Sequence, residues 1–510
     1  MKSRIYKVLV AALVMSLVGI YSCADLDVEN LNTPDSKRAI ESPDDLEGVA
    51  GGAFRTIMNA SLAYEGPSLP MSAMADRMTC SWGNCALNDL TSEPRAAFNN
   101  TIPYSYAYVN RDYWQDMNSA LSQVNDVLVQ IEGGAVIKDA ATTTMVKAWC
   151  YFIQGVAHGH IAMVMEKGFI VDETTDLETL EWSSYADIGA AAIVYLDKAI
   201  VACNATDFIL PSGFFKGSTP TSEELGELCN FFAAKIMISV PRNATENAAV
   251  NWSQVKTYAS NGLANDFVIN FDGYTSWVSR LMGFSHNEGW LRVDMRVINM
   301  MDPNYPSRWN ADGTTPDAFH PATSADARLE SDFTDDGPPP HRPERGYYHF
   351  SYYGYDRYGA TLMSCASQAI CGDMALYPKY ENDLMEAEAE VMSGGSLSNA
   401  ITLINAGERV TRGGLDPLPG DATAAEIMEA IFYERTIELF SKNMGIGFFD
   451  MRRRNLLQPA TLLHFPIPGK ELETLGEPYY SLGGGLFGTA GIDFADTDWG
   501  WPGWNVQNPY

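Results

Sequence analysis

The stretch YWQDMNSALSQVNDVLVQIEGG, residues 113–134, decides the fold. Trp114, Met117, Leu121, Val124, Val127 and Leu128 recur at spacings of three and four, the period of an amphipathic helix, and Gly133-Gly134 ends it. The pattern resumes over about 139–165, with Met145, Ala148, Trp149, Phe152, Val156 and Ala157 on one face. Two long helices joined by so short a connection make an antiparallel hairpin. Outward from it the same period returns over 184–203, over 221–240, where Thr221 and Glu224 form a capping box, and over 251–263. It reappears over 382–392, 397–410 and 424–444. These pairs predict a mainly α chain, a tetratricopeptide-like α-solenoid in which each helix pair buries its inner face on the next. No internal repeat near ~34 residues stands alone, so an irregular all-α bundle is the alternative.

Residues 264–378 differ in kind. They are rich in Gly, Pro, Asp, Tyr and Trp and run far beyond the ~12–15 residues of a structureless loop in a compact domain. They read as a long irregular, loop-rich insertion that carries short elements of its own, functional surface, or both.

Charge narrows the function. The 510 residues hold 34 Lys+Arg against 64 Asp+Glu, a formal net charge of −30. Such a chain repels a polyanion, and its only basic tract is Arg452-Arg453-Arg454, so nucleic acid is excluded as a partner. With 46% apolar and 19% charged residues the chain is not a disordered acidic tail.

Lys2, Arg4 and Lys7 precede an uncharged run from Val8 to Ser22, too short for a spanning helix and read as a secretory signal over 1–22. It ends in Ile20-Tyr21-Ser22-Cys23, which resembles the bacterial lipobox after which the thiol is acylated, palmitate being the typical chain. Cys23 is therefore the expected lipid attachment and the new N-terminus. Removal of 1–22 takes away three positive charges and no negative one, leaving −33. Residues 23–40, acidic and without strong periodicity, read as a tether.

Seven further cysteines follow. Cys80 with Cys85, and Cys365 with Cys371, are spaced to close short disulfide loops in an oxidising compartment, and the odd count leaves a thiol over. Cys150 and Cys203 lie in helical patterns, as small core residues. The seven histidines do not fall at zinc-ligand spacing from a cysteine pair, and His158-Gly159-His160 alone is a weak signal. No Gly-x-Ser-x-Gly, His-Glu-x-x-His or phosphate-cradling glycine loop occurs, so neither a metal, a cofactor nor a catalytic residue is expected.

Several motifs occur in an order that resembles the SusD/RagB family of Bacteroidetes outer-membrane lipoproteins. Toward the C-terminus these are Glu386-Ala387-Glu388-Ala389, Asn399-Ala400-Ile401, Glu434-Arg435-Thr436-Ile437-Glu438, Phe449-Asp450-Met451-Arg452-Arg453, His464-Phe465-Pro466-Ile467-Pro468 with Glu471, and Gln507-Asn508-Pro509-Tyr510. Toward the N-terminus, Cys23 with Asp25-Leu26-Asp27-Val28, Asp44-Asp45-Leu46, Gly52-Ala53-Phe54, Asn125 and Trp149-Cys150-Tyr151-Phe152 agree. The match covers both ends and not the middle. Where the family has Glu-Gly-x-Arg, this chain has Met444-Gly445-Ile446-Gly447. The charged motifs read as an ion network, with Arg435 reaching Glu438 at i,i+3 and Asp450 and Arg452 pinning the C-terminal loop.

The resemblance implies a single SusD-like domain over 41–510, with helical parts 41–263 and 379–445, an irregular ligand-facing part 264–378 and a loop-rich cap 446–510. It implies a non-enzymatic protein, lipid-anchored at the outer membrane and surface-exposed, that captures an oligosaccharide or polysaccharide and hands it to a SusC-like TonB-dependent transporter. A peptide or other nutrient on the same architecture, or a surface glycoside hydrolase, is the alternative. A sugar's apolar face stacks on aromatic rings while amides and charges take its hydroxyls. That chemistry selects Arg77, Trp82 and Asn84 in the cysteine-flanked loop, and Tyr274, Trp277 and Trp290 in the middle, as the ligand-binding candidates. Trp309 and Tyr347, Tyr348, Tyr352, Tyr353 and Tyr355 enrich the same region.

Overall fold

The computed structural model describes residues 42–92, 95–273, 276–287, 289–309, 321–338, 349–359 and 370–485. The signal segment, the tether with Cys23, and Tyr274, Tyr347, Tyr348 and Cys365 lie outside the described residues. Among the described residues, the helices of eight or more residues are α1 (Pro43–Gly51), α2 (Ala53–Leu62), α3 (Tyr108–Glu132), α4 (Ala140–Val164), α5 (Tyr185–Ala205), α6 (Ser222–Ser239), α7 (Trp252–Ser260), α8 (Lys379–Met392), α9 (Leu397–Ala406), α10 (Ala424–Ile437) and α11 (Ile446–Arg453). Side-chain caps set the starts of several: Asp139 accepts from Thr142 N at 2.7 Å, and Thr221 with Glu224 and Thr423 with Glu426 form capping boxes.

The α3/α4 hairpin is the spine. From Met145 to Val164 only Lys147 and Tyr151 of α4 escape full burial, so this helix is core on every side. Gly155 and Gly159 let its neighbours close in, because a Cβ at Gly155 would meet Leu196 of α5 and one at Gly159 would meet Ile236 of α6. Trp149, fully buried, gives its Nε1 to Ala50 O at 2.8 Å and packs with Phe54, Phe152 and Phe215. His158 and His160 are core too. His158 Nδ1 meets Gln154 O at 2.7 Å, His160 Nδ1 meets Tyr113 OH at 3.0 Å, and burial pushes their pKa values down to about 4 and about 3.

Packing follows chain order: α2 on α3, α3 on α4, α4 on α5, α5 on α6, α6 on α7. It then jumps from α7 to α8, which carries α9 and α10. The result is the mainly α, solenoid-like stack that the helical periods predict, interrupted once. The strands are β1 (Met78–Thr79), β2 (Lys167–Gly168), β3 (Ser183–Ser184), β4 (Phe267–Asp272), β5 (Arg292–Val293), β6 (Phe333–Asp335), β7 (Tyr353–Tyr355) and β8 (Cys371–Tyr377). Antiparallel pairing of β4 with β8 closes the insertion at its neck, which is how α7 and α8 become neighbours.

Two helices end earlier than their periodicity suggests. The 397–410 pattern breaks at Gly407, which is extended (φ −93°, ψ −162°) with the Tyr380 ring where a side chain would stand. The 424–444 pattern stops at Ile437, and the next residue, Glu438, is drawn into ion pairs with Arg328 (3.3 Å), Arg357 (2.6 Å) and Arg412 (2.7 Å).

The expected ion network exists with different partners. Arg435 turns away from Glu438 toward Glu388 of α8 (2.6 Å) and Asp450 of α11 (3.1 Å), where Arg453 also pairs with both at 2.7 and 2.5 Å. Arg452 gives its NH1 to the carbonyls of Met163 and Leu463 at 2.9 and 2.8 Å instead of joining it. Glu434, fully buried, is claimed by Arg328 at 2.7 Å.

Candidate functional site

The pairing of β1 with β5 assembles the candidate surface. Met78 faces Val293 and Thr79 faces Arg292, so the chain leaving β1 runs beside the chain entering β5, and Trp82 and Trp290 come to the same end of the ribbon. Trp290 and Tyr64 are the centre. Their rings lie 5.9 Å apart and 6° from parallel, and Phe284 lies 4.4 Å from Trp290. Tyr64 follows α2 and stacks on Tyr108 at the start of α3 (6.4 Å), which meets Tyr106 edge-on (6.2 Å). Tyr64, Tyr106, Tyr108, Trp82, Asn84 and Trp290 are each half-buried.

The loop over 82–86 is locked against this platform. Cys85 N–H donates to Tyr108 OH at 3.1 Å, and the Cys85 thiol donates to Tyr64 O at 3.1 Å. Gly83 lies under Tyr106 OH, where a Cβ would collide. Cys85 and Ala86 both take positive φ, 56° and 58°, a left-handed pair of non-glycine residues. Such backbone persists only where surrounding contacts impose it, and it gathers at ligand-holding loops.

Burial, with the nearby Cys85 thiol adding to it, pushes Tyr64 up to about 12. Tyr104 and Tyr108 move in the same direction, also chiefly through burial. These hydroxyls therefore stay protonated at neutral pH and serve as donors and acceptors, not as acids or bases. Stacked rings, an amide and neutral hydroxyls suit a polyhydroxylated ligand.

Two of the sequence-selected residues are elsewhere. Arg77 is 1% exposed, its NH1 donates to Arg435 O at 2.6 Å, and burial brings its pKa down to about 9. It packs over Gly447, whose missing side chain leaves room for it. Trp277 is buried, and its backbone N–H donates to Asp272 Oδ2 at 3.1 Å. Tyr274 is not among the described residues, whereas Trp309, Tyr353 and Tyr355 are core.

No disulfide joins Cys80 and Cys85. Both thiols are buried and reduced, because Cys85 points at Tyr64 O while the Cys80 sulfur takes the Trp82 N–H at 3.4 Å. Cys371 is disulfide-bonded.

The residues missed from sequence are Tyr64, Tyr106, Tyr108 and Phe284. The one signal for them is Tyr104-Ser105-Tyr106-Ala107-Tyr108, an alternating tyrosine run that leads into a helix. Among the described residues no group of three His, Cys, Asp or Glu side chains is placed to hold a metal, and no helix is long and apolar enough to cross a membrane.

No protein-family model and no curated protein matches the sequence. Solved structures do. A SusD homologue from Bacteroides thetaiotaomicron aligns over 88% of this chain and 99% of its own at 12% identity, with a TM-score of 0.61. A SusD superfamily protein from Parabacteroides distasonis aligns over 87% and 98% at 13% identity and 0.59. Surface glycan-binding protein A from Bacteroides uniformis aligns over 85% and 98% at 13% identity and 0.57. The chain has the SusD/RagB-type fold.

Proposed function

Taking that fold as the premise, we propose that the chain is a cell-surface lipoprotein that captures a glycan on the Tyr64/Trp290 platform and passes it to a SusC-like TonB-dependent transporter. The observation that carries the reading is the near-parallel, half-exposed Tyr64/Trp290 pair beside the strained 82–86 loop. Lipid at Cys23 holds the protein at the outer membrane, since an acidic chain gains nothing from anionic headgroups. The role is binding, not turnover. Glu434, Glu438 and Asp450, the acids of the family-like motifs, are spent on arginines inside the core.

A glycan array with the protein lacking residues 1–23 tests the ligand class. A positive glycan should lose five- to tenfold in affinity with Trp290→Ala, about 1–1.4 kcal/mol for one stacking surface. Unchanged affinity would move the site off the platform. Capture of peptides and no glycan would replace the ligand class, and cleavage of a polysaccharide would replace the binding role. Copurification of a TonB-dependent barrel with the acylated protein checks the handover.

A further inference from the structure

Away from the platform, α5 and α6 pack antiparallel in a register that two glycines mark. A Cβ on Gly189 of α5 would stand 3.1 Å from Val240 Cγ2, just past the end of α6, and one on Gly226 of α6 would stand 3.8 Å from Cys203 Cβ of α5. Cys203 therefore enters the gap that the bare Gly226 leaves. Side chains three apart on a helix are neighbours, about 5–6 Å between Cβ atoms, so the next group along α6 on that face is Cys229. Both thiols are unbridged, Cys229 fully buried and Cys203 4% exposed. We propose that Cys203 and Cys229 are a modification site, a thiol pair that closes to a disulfide and ties α5 to α6, independently of the aromatic platform.

Three further observations support the pair. The two side chains act on each other, since burial, with the Cys203 thiol adding to it, pushes Cys229 well above the usual thiol range. Cys371 already carries a disulfide, the mark of an oxidising compartment. Cys203 and Gly226 both line an open groove of about 840 Å³, which gives a small oxidant its way in. Cys80 and Cys85 lack this freedom, because the first takes the Trp82 N–H and the second donates to Tyr64 O. The oxidant is a small organic disulfide, RSSR. The Cys203 sulfur, giving up its proton, attacks RSSR and expels one RSH. The Cys229 sulfur then displaces the second RSH from Cys203. Two Cys S–H bonds and one R–S–S–R bond become one Cys–S–S–Cys bond and two R–S–H bonds, with two electrons passing from the pair to RSSR.

Peptide mapping of the exported full chain, alkylated under denaturing conditions without reduction, should find Cys203 linked to Cys229. The same chain made in a reducing cytosol should show both alkylated, and should gain the link on incubation with oxidised glutathione at about pH 8.5, the ordinary thiol pKa. Closing a loop of about 25 residues in a body of this size should raise Tm by about 3 °C by calorimetry. Cys203→Ala and Cys229→Ala, each measured against itself, should show no rise with oxidant. Both thiols still alkylated after oxidation, glutathione halted on Cys203, or a link to another cysteine overturns the proposal. So does a Tm that stays or falls on bridging, or one that rises equally in the two variants. Failure of the platform in the glycan array would not touch the pair, and failure of the pair would leave the platform reading intact.

Discussion

Glu388→Gln removes the hub that joins α8 to the C-terminal motif. The fully buried carboxylate takes Arg435 NH1 at 2.6 Å, Arg453 NH2 at 2.7 Å and Arg454 NH2 at 3.2 Å. Gln keeps the shape and cancels the charge, which leaves three buried guanidinium groups sharing Asp450. Deleting one partner of a buried ion pair costs about 3–5 kcal/mol. At roughly 2.1 cal/mol/K per residue over a body of this size, that is a drop in Tm on the order of 3–5 °C. Acid sharpens the test. Burial alone would raise the Glu388 pKa, but Arg435, Arg453 and Arg454 overcome it and hold the group well below the usual carboxylate range. A group depressed in the folded state gives stability that is fully present above its unfolded value, about 4.3, and lost as pH falls through the folded one. The wild type should therefore exceed the variant by the full margin at pH 7 and still at pH 5, and the two should converge only well below pH 4. Calorimetry across pH 7 to 2.5 measures both. A drop under about 1 °C at pH 7, or a margin that grows on acidification, would refute the account of this network.

Gly447→Ala should cost about 1–3 kcal/mol in urea unfolding, because its Cβ would occupy the space of the Arg77 guanidinium; a neutral effect would show that Arg77 can step aside. Trp277→Ala should lower stability by roughly 3–5 kcal/mol and leave any glycan affinity of the folded fraction intact, and the reverse pattern would return Trp277 to the site. Alkylation under denaturing, non-reducing conditions followed by peptide mapping should find Cys80 and Cys85 labelled and Cys371 protected. A linked Cys80–Cys85 peptide would contradict the observed thiols.

The helical stack was legible because its signal is local. The three- and four-residue spacing in 113–131 and the Thr221/Glu224 box are properties of one segment, and both stand in the structure. What local pattern could not give is where a helix is overruled by a distant group. Periodicity continues through Gly407, but Tyr380 claims the space beside it. Arg435 shows the same limit. Its spacing from Glu438 is right for a helical pair, yet the stronger partners, Glu388 and Asp450, come from helices on either side in sequence.

The site was legible in part for a related reason. Aromatic residues in a loop-rich region are candidates by chemistry alone, and that chemistry cannot tell an exposed ring from a core one. Trp277 and Trp290 stand in similar sequence surroundings, but the first is sealed under the β4 turn and the second is laid against Tyr64 by the β1/β5 ribbon. The ribbon has two residues per strand, far too short to betray itself by alternation. Tyr64, Tyr106 and Tyr108 escaped because they sit at the ends of helices in the solenoid half, where an aromatic reads as packing. The platform is a joint between that half and the insertion, so neither segment read by itself contains it. A shared platform of this kind also predicts which damage is separable: changes to Trp290 should touch ligand and spare the helical stack, whereas changes to Tyr108, whose hydroxyl holds Cys85 N–H, should disturb the 82–86 loop and the ligand together.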